Sequence, residues 1–297
     1  MPRQLYIALI MLSLIWGGSF FFIKNLLNDF GPWTIAFLRS AFGLLLIMAV
    51  MLVTREPLGL RKVKWLTAFI VAMVNMAVPW TLIGFSETRL ASNVASVMNA
   101  TTPIWTLLVG LLFFGTVVRG MQWLGMGIAM VGLVILLGIT PGSLTTVDPL
   151  GFAGMLSATL CYAVGSQLSK RFLSGLSMFQ LSFATLLGAV IGSGVLAVLT
   201  EDMNLGSVLK PANLGGLIGL GVFGSGVAYI LFNYMILKGS PEFATSVTYL
   251  VPATAMIWGY TLLDEPVGWN LIAGLVLILG GVFVAGKAFR RKAASRA

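Results

Sequence analysis

A single arginine, Arg39, lies deep inside an apolar stretch of this 297-residue sequence. It is about two turns from the end of that stretch, where a charge in a bilayer costs about 3 kcal/mol and must be paired, hydrated or turned toward the surface. Its planar guanidinium can bind a carboxylate or another anionic group through two hydrogen bonds. It can also brace backbone carbonyls inside the protein, and the sequence leaves both roles open.

Polar side chains also follow one face of each of two apolar spans that contain a proline. Pro103 and Pro252 each remove one helical hydrogen bond and free the carbonyl four residues earlier, on Asn99 and Thr248. Small polar residues recur near both prolines at intervals of three or four, so they share one side of a helix. These stripes favour two bent helices lining a solute cavity, although hydroxyls in membrane helices often bond only to the preceding turn.

Aromatic residues with polar tips occupy five of the apolar spans. Their rings could enclose an amphipathic solute, whereas each ring alone is more often a packing residue or an interfacial anchor. A glycine-dense stretch, 215–227, predicts a hinge or a close approach to the solute. The predicted substrate-binding residues are Trp16, Arg39, Trp80, Asn99, Tyr162, Tyr229, Thr248 and Tyr249, and the predicted kinks or hinges are Pro103, Pro252, Gly224 and Gly226.

The elements that position these residues follow from composition and hydropathy. Apolar residues make up 58% of the chain and charged residues only 9%, with a mean hydropathy of +0.99, which excludes an ordinary soluble domain. We expect an all-α integral membrane protein with ten transmembrane helices, since ten stretches can cross a hydrocarbon core of roughly 30 Å. The predicted spans are 5–23, 32–53, 65–86, 92–114, 121–139, 150–169, 177–199, 212–236, 242–263 and 267–287. No cleavage site follows the first span, so it is expected to be retained.

The distribution of lysine and arginine predicts the orientation of the chain. With the N-terminus in the cytoplasm, fourteen of the 18 basic residues face the cytoplasm, three face the other side, and Arg39 lies within a span. We therefore expect a multi-pass protein of the bacterial plasma (inner) membrane with both termini in the cytoplasm. The net charge of +9 and the basic cytoplasmic tail, 289–297, fit a lipid-surface anchor better than a nucleic-acid partner.

The sequence also repeats itself in two halves. A gap-free shift of 149 positions places Pro103 on Pro252 and Gly125 on Gly274. Each half holds five spans, and because five is odd the second half must enter the membrane from the opposite side. We expect two inverted five-helix repeats, 1–143 and 144–288, whose alternative packings would give access to each side in turn.

Several of these features resemble a known family. They are the WGGSF stretch at 16–20, Arg39, the mid-span prolines and the LLDEPVGWNLIAGLVLILGG stretch at 262–281. The sequence is similar to the drug/metabolite transporter superfamily, in its ten-helix branch with two EamA-type repeats. The resemblance implies export or exchange of small metabolites such as amino acids through a central cavity. The family often has a glycine-glutamate pair between its fourth and fifth helices; the second half keeps Glu265, whereas the first half has Gly115 and Thr116.

Missing residue types narrow the chemistry. The chain has one cysteine and no histidine, so we expect no metal, no cofactor and no histidine-based catalytic centre. No aspartate or glutamate falls in the middle of a span, which argues against direct exchange of a lipophilic cation for protons. Transport would then be driven by the solute's own gradient or by exchange.

The function predicted from the sequence is secondary transport rather than enzymatic catalysis. The expected partners are a small-molecule substrate and the lipid bilayer, and two complete halves in one chain favour a working monomer, with a dimer as the alternative. Amino acids or related amphipathic solutes are the predicted cargo. A flippase for a lipid or lipid-linked group, a multidrug efflux protein and an intramembrane transferase remain as alternatives.

Overall fold

A computed structural model describes residues 3–59, 61–90, 92–117, 119–136, 148–263 and 269–294. In these ranges every regular element is a helix. The α-helices are α1 Arg3–Gly17, α2 Ser19–Leu26, α3 Pro32–Thr54, α4 Trp65–Ala72, α5 Val78–Glu87, α6 Ser92–Asn99, α7 Thr102–Phe113, α8 Gly120–Leu136, α9 Pro149–Phe172, α10 Met178–Thr200, α11 Pro211–Leu217, α12 Ala228–Lys238, α13 Pro241–Thr245, α14 Val247–Leu263 and α15 Trp269–Ala294. Two π-helical segments, Met73–Ala77 and Ile218–Val227, join α4 to α5 and α11 to α12, and a short 3₁₀ turn covers Leu205–Leu209.

Six continuous helical stretches of the described chain are long and apolar enough to cross a membrane. They are Arg3–Leu26, Pro32–Thr54, Trp65–Glu87, Pro149–Phe172, Met178–Thr200 and Pro211–Lys238, and three shorter apolar helices accompany them at Thr102–Phe113, Gly120–Ile135 and Ile272–Ala285. The predicted all-helical membrane protein is therefore confirmed. The predicted repeat boundary between residues 143 and 144, Glu265 and the last three residues of the basic tail lie outside the described residues.

The long helices α9 and α10 begin with side-chain caps that their sequences favour. The Asp148 carboxylate accepts a hydrogen bond from the Gly151 amide at 2.8 Å, and Pro149 supplies the first residue of α9, where no amide donor is needed. At α10, Ser177 and Gln180 form a reciprocal capping box. These caps fix where two long helices begin.

Helices α3 and α10 pack against each other in opposite directions. At the end of α10, the Glu201 carboxylate accepts hydrogen bonds from the Trp33 and Thr34 amides, both at 2.8 Å, in the first turn of α3. At the start of α10, the Gln180 side chain donates to the Pro57 carbonyl, just beyond the end of α3, at 2.9 Å. Each helix therefore begins where the other ends.

Helices α8 and α15 contact each other through facing glycines. A Cβ atom on Gly125 would lie 2.5 Å from the carbonyl oxygen of Gly281, and one on Gly132 would lie 2.8 Å from that of Gly274. The small residues let the two backbones approach closely. The later glycine of α8 contacts the earlier glycine of α15, so this pair of helices is also antiparallel.

Candidate functional site

A central cavity lies between helices from both parts of the chain. Including its open mouth, it measures about 550 Å³. Six of the eight predicted substrate-binding residues line it, namely Trp16, Arg39, Trp80, Asn99, Tyr162 and Thr248. The other lining residues are Ser19, Phe20, Ile23, Ile83, Thr102, Phe232, Thr245 and Val251. At least half of these residues carry a polar group, but most of the surface that the wall presents to the cavity is apolar.

The guanidinium of Arg39 is the charged group of this cavity. Its side chain is 4% exposed, and its Nε donates to the Ser225 hydroxyl at 3.0 Å. Its Cζ lies 3.9 Å from the centre of the Trp80 ring, a cation–π contact that is strongest away from water. Among the described residues, no carboxylate lies within ion-pair distance of the guanidinium. The contacts of this guanidinium in the structure are therefore a hydroxyl and an aromatic ring rather than a counter-charge, and its binding of a solute stays a prediction.

Aromatic rings pack behind and beside this arginine. Tyr229 is 1% exposed and sits behind the cavity wall, with its ring centre 5.4 Å from that of Trp80 and 6.0 Å from that of Trp16. Phe232 joins the group at 5.4 Å from Trp16. Tyr229 was predicted to bind substrate; the structure places it one layer back, where it supports the two tryptophans that line the cavity.

The two π-helical segments provide hydrogen-bond acceptors to these aromatic residues. Wider helical turns leave carbonyls without their usual intrahelical donors, and such segments occur often at functional sites. The Trp16 indole donates to the Gly224 carbonyl at 3.0 Å, and the Tyr229 hydroxyl donates to the Asn75 carbonyl at 3.0 Å. The sequence analysis identified Gly224 but missed Asn75, although the shift of 149 positions that relates the two halves places Asn75 on Gly224.

The predicted hinge glycines lie where the second π-segment is crowded. A Cβ atom on Gly226 would meet the Leu46 side chain at 2.7 Å, and one on Gly43 of α3 would meet the Ser225 Cβ at 3.0 Å. Gly224 faces the Ser19 hydroxyl. These glycines permit close approach of α3 and of the α1–α2 region to the π-segment, and their role as hinges stays a prediction.

The helical break at Pro103 lies beside the cavity. Helix α6 ends at Asn99, and α7 begins at Thr102 with Pro103 in its first turn. The carbonyl of Asn99, expected to be freed by the proline, accepts a hydrogen bond from the Thr102 hydroxyl at 2.6 Å. The buried Oδ1 of Asn99 and the Oγ of Ser19 have no protein partner, so both can bind a polar group of a solute.

The second proline-containing helix is interrupted at a different place. The helix is interrupted at Ser246, between α13 and α14, whereas Pro252 lies inside α14. Thr248 lines the central cavity, and its hydroxyl donates to the Thr245 carbonyl at 2.9 Å. Tyr249 faces a second cavity instead, so the structure does not bring it together with the other predicted residues.

Two carboxylates are buried at helix ends, which sequence reasoning did not foresee. Glu242, in the first turn of α13, is 6% exposed, and Glu87, the last residue of α5, is 0% exposed. Nearby, two lysines cap helix ends: Lys24 donates to the Glu87 carbonyl at 2.5 Å and Lys170 to the Leu237 carbonyl at 2.7 Å. The described residues contain no cluster of three or more side chains of the types that commonly hold a metal.

Comparisons with known proteins place this architecture in a family. The profile of the EamA-like transporter family matches residues 4–138 and again residues 149–286. The chain is 28% identical to the uncharacterized inner membrane transporter YedA of Escherichia coli (strain K12), over 86% of this chain and 81% of that protein. It is 24% identical to a probable amino-acid metabolite efflux pump of the same strain, over 96% of this chain and 95% of that protein.

A solved crystal structure shares the fold. It superposes with a TM-score of 0.75 at 16% sequence identity, covering 98% of this chain and 99% of that chain. Both family matches together span most of the sequence, and the resemblance noted from the residues is confirmed. The protein is a membrane transporter and belongs to the EamA-like transporter family.

Proposed function

We propose that this protein is a secondary transporter that exports or exchanges small amphipathic metabolites, amino acids or related compounds among them. The observation that carries the proposal is the central cavity, which combines apolar and aromatic walls with the guanidinium of Arg39. A carboxylate on the solute would neutralise that charge, and the Oδ1 of Asn99 would accept a hydrogen bond from an ammonium group. The aromatic walls would hold the apolar part of the same solute.

The proposed mechanism is alternating access between two inverted five-helix repeats, 1–143 and 144–288, which together provide ten membrane helices. The double match to one family profile supports a duplication. The contacts of Gly125 with Gly281 and of Gly132 with Gly274 are reciprocal, as a two-fold axis in the membrane plane requires. The antiparallel pair α3 and α10 has the same reciprocity at its two ends.

The proposed setting is the bacterial inner membrane, with both termini in the cytoplasm and one chain as the working unit. The excess of lysine and arginine on the side of the N-terminus supports this orientation. In that orientation the cavity residues Ile23 and Ile83 lie toward the external ends of their helices, whereas Thr245 lies toward the cytoplasmic end of its span, so the cavity wall includes residues on both sides of the middle of the membrane.

The test is efflux of a mixed pool of labelled amino acids and amines from proteoliposomes. Thr248→Phe would place a ring in the central cavity and should abolish saturable efflux. Thr54→Phe makes the same chemical change at an exposed position near the end of α3 and should leave efflux unchanged. No saturable efflux by the wild-type protein, or equal efflux by the two variants, would contradict the proposal.

A further inference from the structure

Four exposed cations lie together at the end of the helical bundle where α3 ends and α4 begins. They are Arg55, Arg61, Lys62 and Lys64, and they are called the basic cluster below. Among the residues that the structure describes, none of the four forms an ion pair. The same holds for Glu56, the one carboxylate in this connection. The connection therefore carries an excess of positive charge that nothing in the described chain neutralises.

Basic side chains at the opposite end of the bundle are paired instead. That end holds the start of α3 and the end of α5. There Arg89 lies 3.6 Å from the Asp148 carboxylate, and Lys210 pairs with Asp29. Lys24 donates to a backbone carbonyl at the end of α5. The basic cluster is thus distinguished from these residues by its lack of internal partners.

The chain around the basic cluster is held in place by the rest of the bundle. The Gln180 side chain donates to the Pro57 carbonyl at 2.9 Å, and the Lys62 amide donates to the Gly59 carbonyl at 2.8 Å. Val63 is 6% exposed and is buried in an apolar cluster with residues that follow α9. Like charges are therefore kept close together without a counter-charge, and a bound anion would relieve their repulsion.

Exposed apolar side chains adjoin the basic cluster on both helices. Leu52 and Val53 precede it on α3 and are 80% and 83% exposed, and Leu66 follows it on α4 and is 75% exposed. Trp65, the first residue of α4, is 42% exposed, and tryptophan is enriched at the level of the lipid headgroups. A partner that fits this surface has a negative headgroup and apolar chains in the same molecule.

We propose that the basic cluster binds the headgroup of an anionic phospholipid, with a preference for a lipid that carries two phosphates, such as cardiolipin. Arginine binds phosphate through paired hydrogen bonds, whereas lysine acts as a point charge. Groups of four or more basic residues next to a membrane helix are typical of sites for anionic lipids. The acyl chains lie against the exposed apolar residues of α3 and α4. The site requires neither the proposed solute nor the proposed orientation, because it is defined by the surface of the protein alone.

The test measures the thermal unfolding midpoint of the purified protein in a fixed concentration of detergent while one phospholipid is added. A ligand that binds only the folded state raises the midpoint with its concentration. Cardiolipin should therefore give a saturable rise, phosphatidylglycerol should require a higher concentration, and phosphatidylethanolamine should give none. Native mass spectrometry of the same samples should show cardiolipin retained on the protein.

Two triple variants separate the basic cluster from net charge. Arg61→Gln, Lys62→Gln and Lys64→Gln together should weaken the affinity for cardiolipin by at least about tenfold. Because all three side chains are exposed, this variant should keep the wild-type midpoint without lipid. Arg3→Gln, Arg89→Gln and Lys210→Gln together remove the same net charge at other positions and should keep the wild-type affinity for cardiolipin.

Three results would overturn the lipid site. Equal responses of the wild type to all three phospholipids would show that the headgroup charge is not recognised. Equal losses of cardiolipin affinity in the two triple variants would assign the response to net charge. Inorganic pyrophosphate as effective as cardiolipin would assign the basic cluster to a soluble anion rather than to a lipid.

Discussion

Replacing Arg39 by methionine should separate solute binding from structural bracing. Methionine keeps an unbranched side chain of similar length but removes the charge, the hydrogen bond to Ser225 and the contact with the Trp80 ring. Each of the two lost contacts contributes about 2 kcal/mol to stability. Removing the unpaired buried charge recovers about the same free energy as the two contacts together. We therefore expect little change in the thermal unfolding midpoint.

The effect on the solute should be much larger and should depend on its carboxylate. A charge-assisted hydrogen bond contributes about 1.5–3 kcal/mol, so affinity for a carboxylate-bearing solute should fall about 10- to 150-fold in Arg39→Met. Affinity for the corresponding decarboxylated amine should be unchanged. Ser225→Ala removes the internal partner of the guanidinium while keeping its charge, and it should preserve the discrimination between the two solutes.

The assay is equilibrium binding of an amino acid and of its decarboxylated amine to purified wild-type protein, Arg39→Met and Ser225→Ala. An equal loss of affinity for both solutes in Arg39→Met, accompanied by a drop of several degrees in the unfolding midpoint, would refute the reasoning. Arg39 would then be a brace between α3 and the second π-segment.

Three further predictions concern the contacts that hold the helices together. Gly281→Ala should lower the unfolding midpoint by several degrees, because the added Cβ would meet the backbone of α8. Gly280 has open space around it, so Gly280→Ala should leave the midpoint unchanged. Equal midpoints for the two variants would contradict the close packing. Glu201→Ala removes three hydrogen bonds at the start of α3 and should lower the free energy of unfolding in detergent by about 2–3 kcal/mol. Glu201→Gln should have an intermediate effect. An alanine variant as stable as the wild type would show that Glu201 does not stabilise the start of α3. The Asp29 carboxyl is partly buried, and hydrogen bonds from Lys210 and, to a smaller extent, Asn213 lower its pKa below the ordinary value. The stabilisation from this carboxylate is therefore present above the ordinary pKa and is lost as pH falls through the lowered one. Asp29→Asn should remove this part of the acid dependence of the unfolding midpoint. A pH profile like that of the wild type would show that ionisation of Asp29 does not contribute to stability.

The general position of the site could be predicted from the sequence, because helical periodicity and the internal repeat indicate the same spans. Trp16 and Trp80 lie on spans matched by the repeat to those of Tyr162 and Tyr229, and three of these four residues line the cavity. The side of a helix that a given residue occupies was harder to predict. Neighbouring residues on a helix point about 100° apart, so Thr248 lines the central cavity while Tyr249, one position later, faces the second.

Features set by tertiary contacts could not be read from the sequence. The segment Met73–Ala77 has no glycine or internal proline to indicate a π-helix, and its geometry depends on packing against α9, where Gly165 approaches Asn75. Hydropathy treats a carboxylate at a span end as exposed, yet neighbouring helices bury Glu242. The interruption at Ser246 carries no proline, so the sequence favoured Pro252 instead.

The most direct test of alternating access is the accessibility of one cavity position from each side of the membrane. Ser19→Cys replaces a hydroxyl that has no hydrogen-bond partner, and Cys161→Ser removes the chain's one native cysteine. In oriented vesicles, a membrane-impermeant thiol reagent should label position 19 from the outside and, in a separate experiment, from the inside, and transported solute should slow both reactions. Labelling from one side only, unaffected by solute, would contradict a cavity that opens to each side in turn.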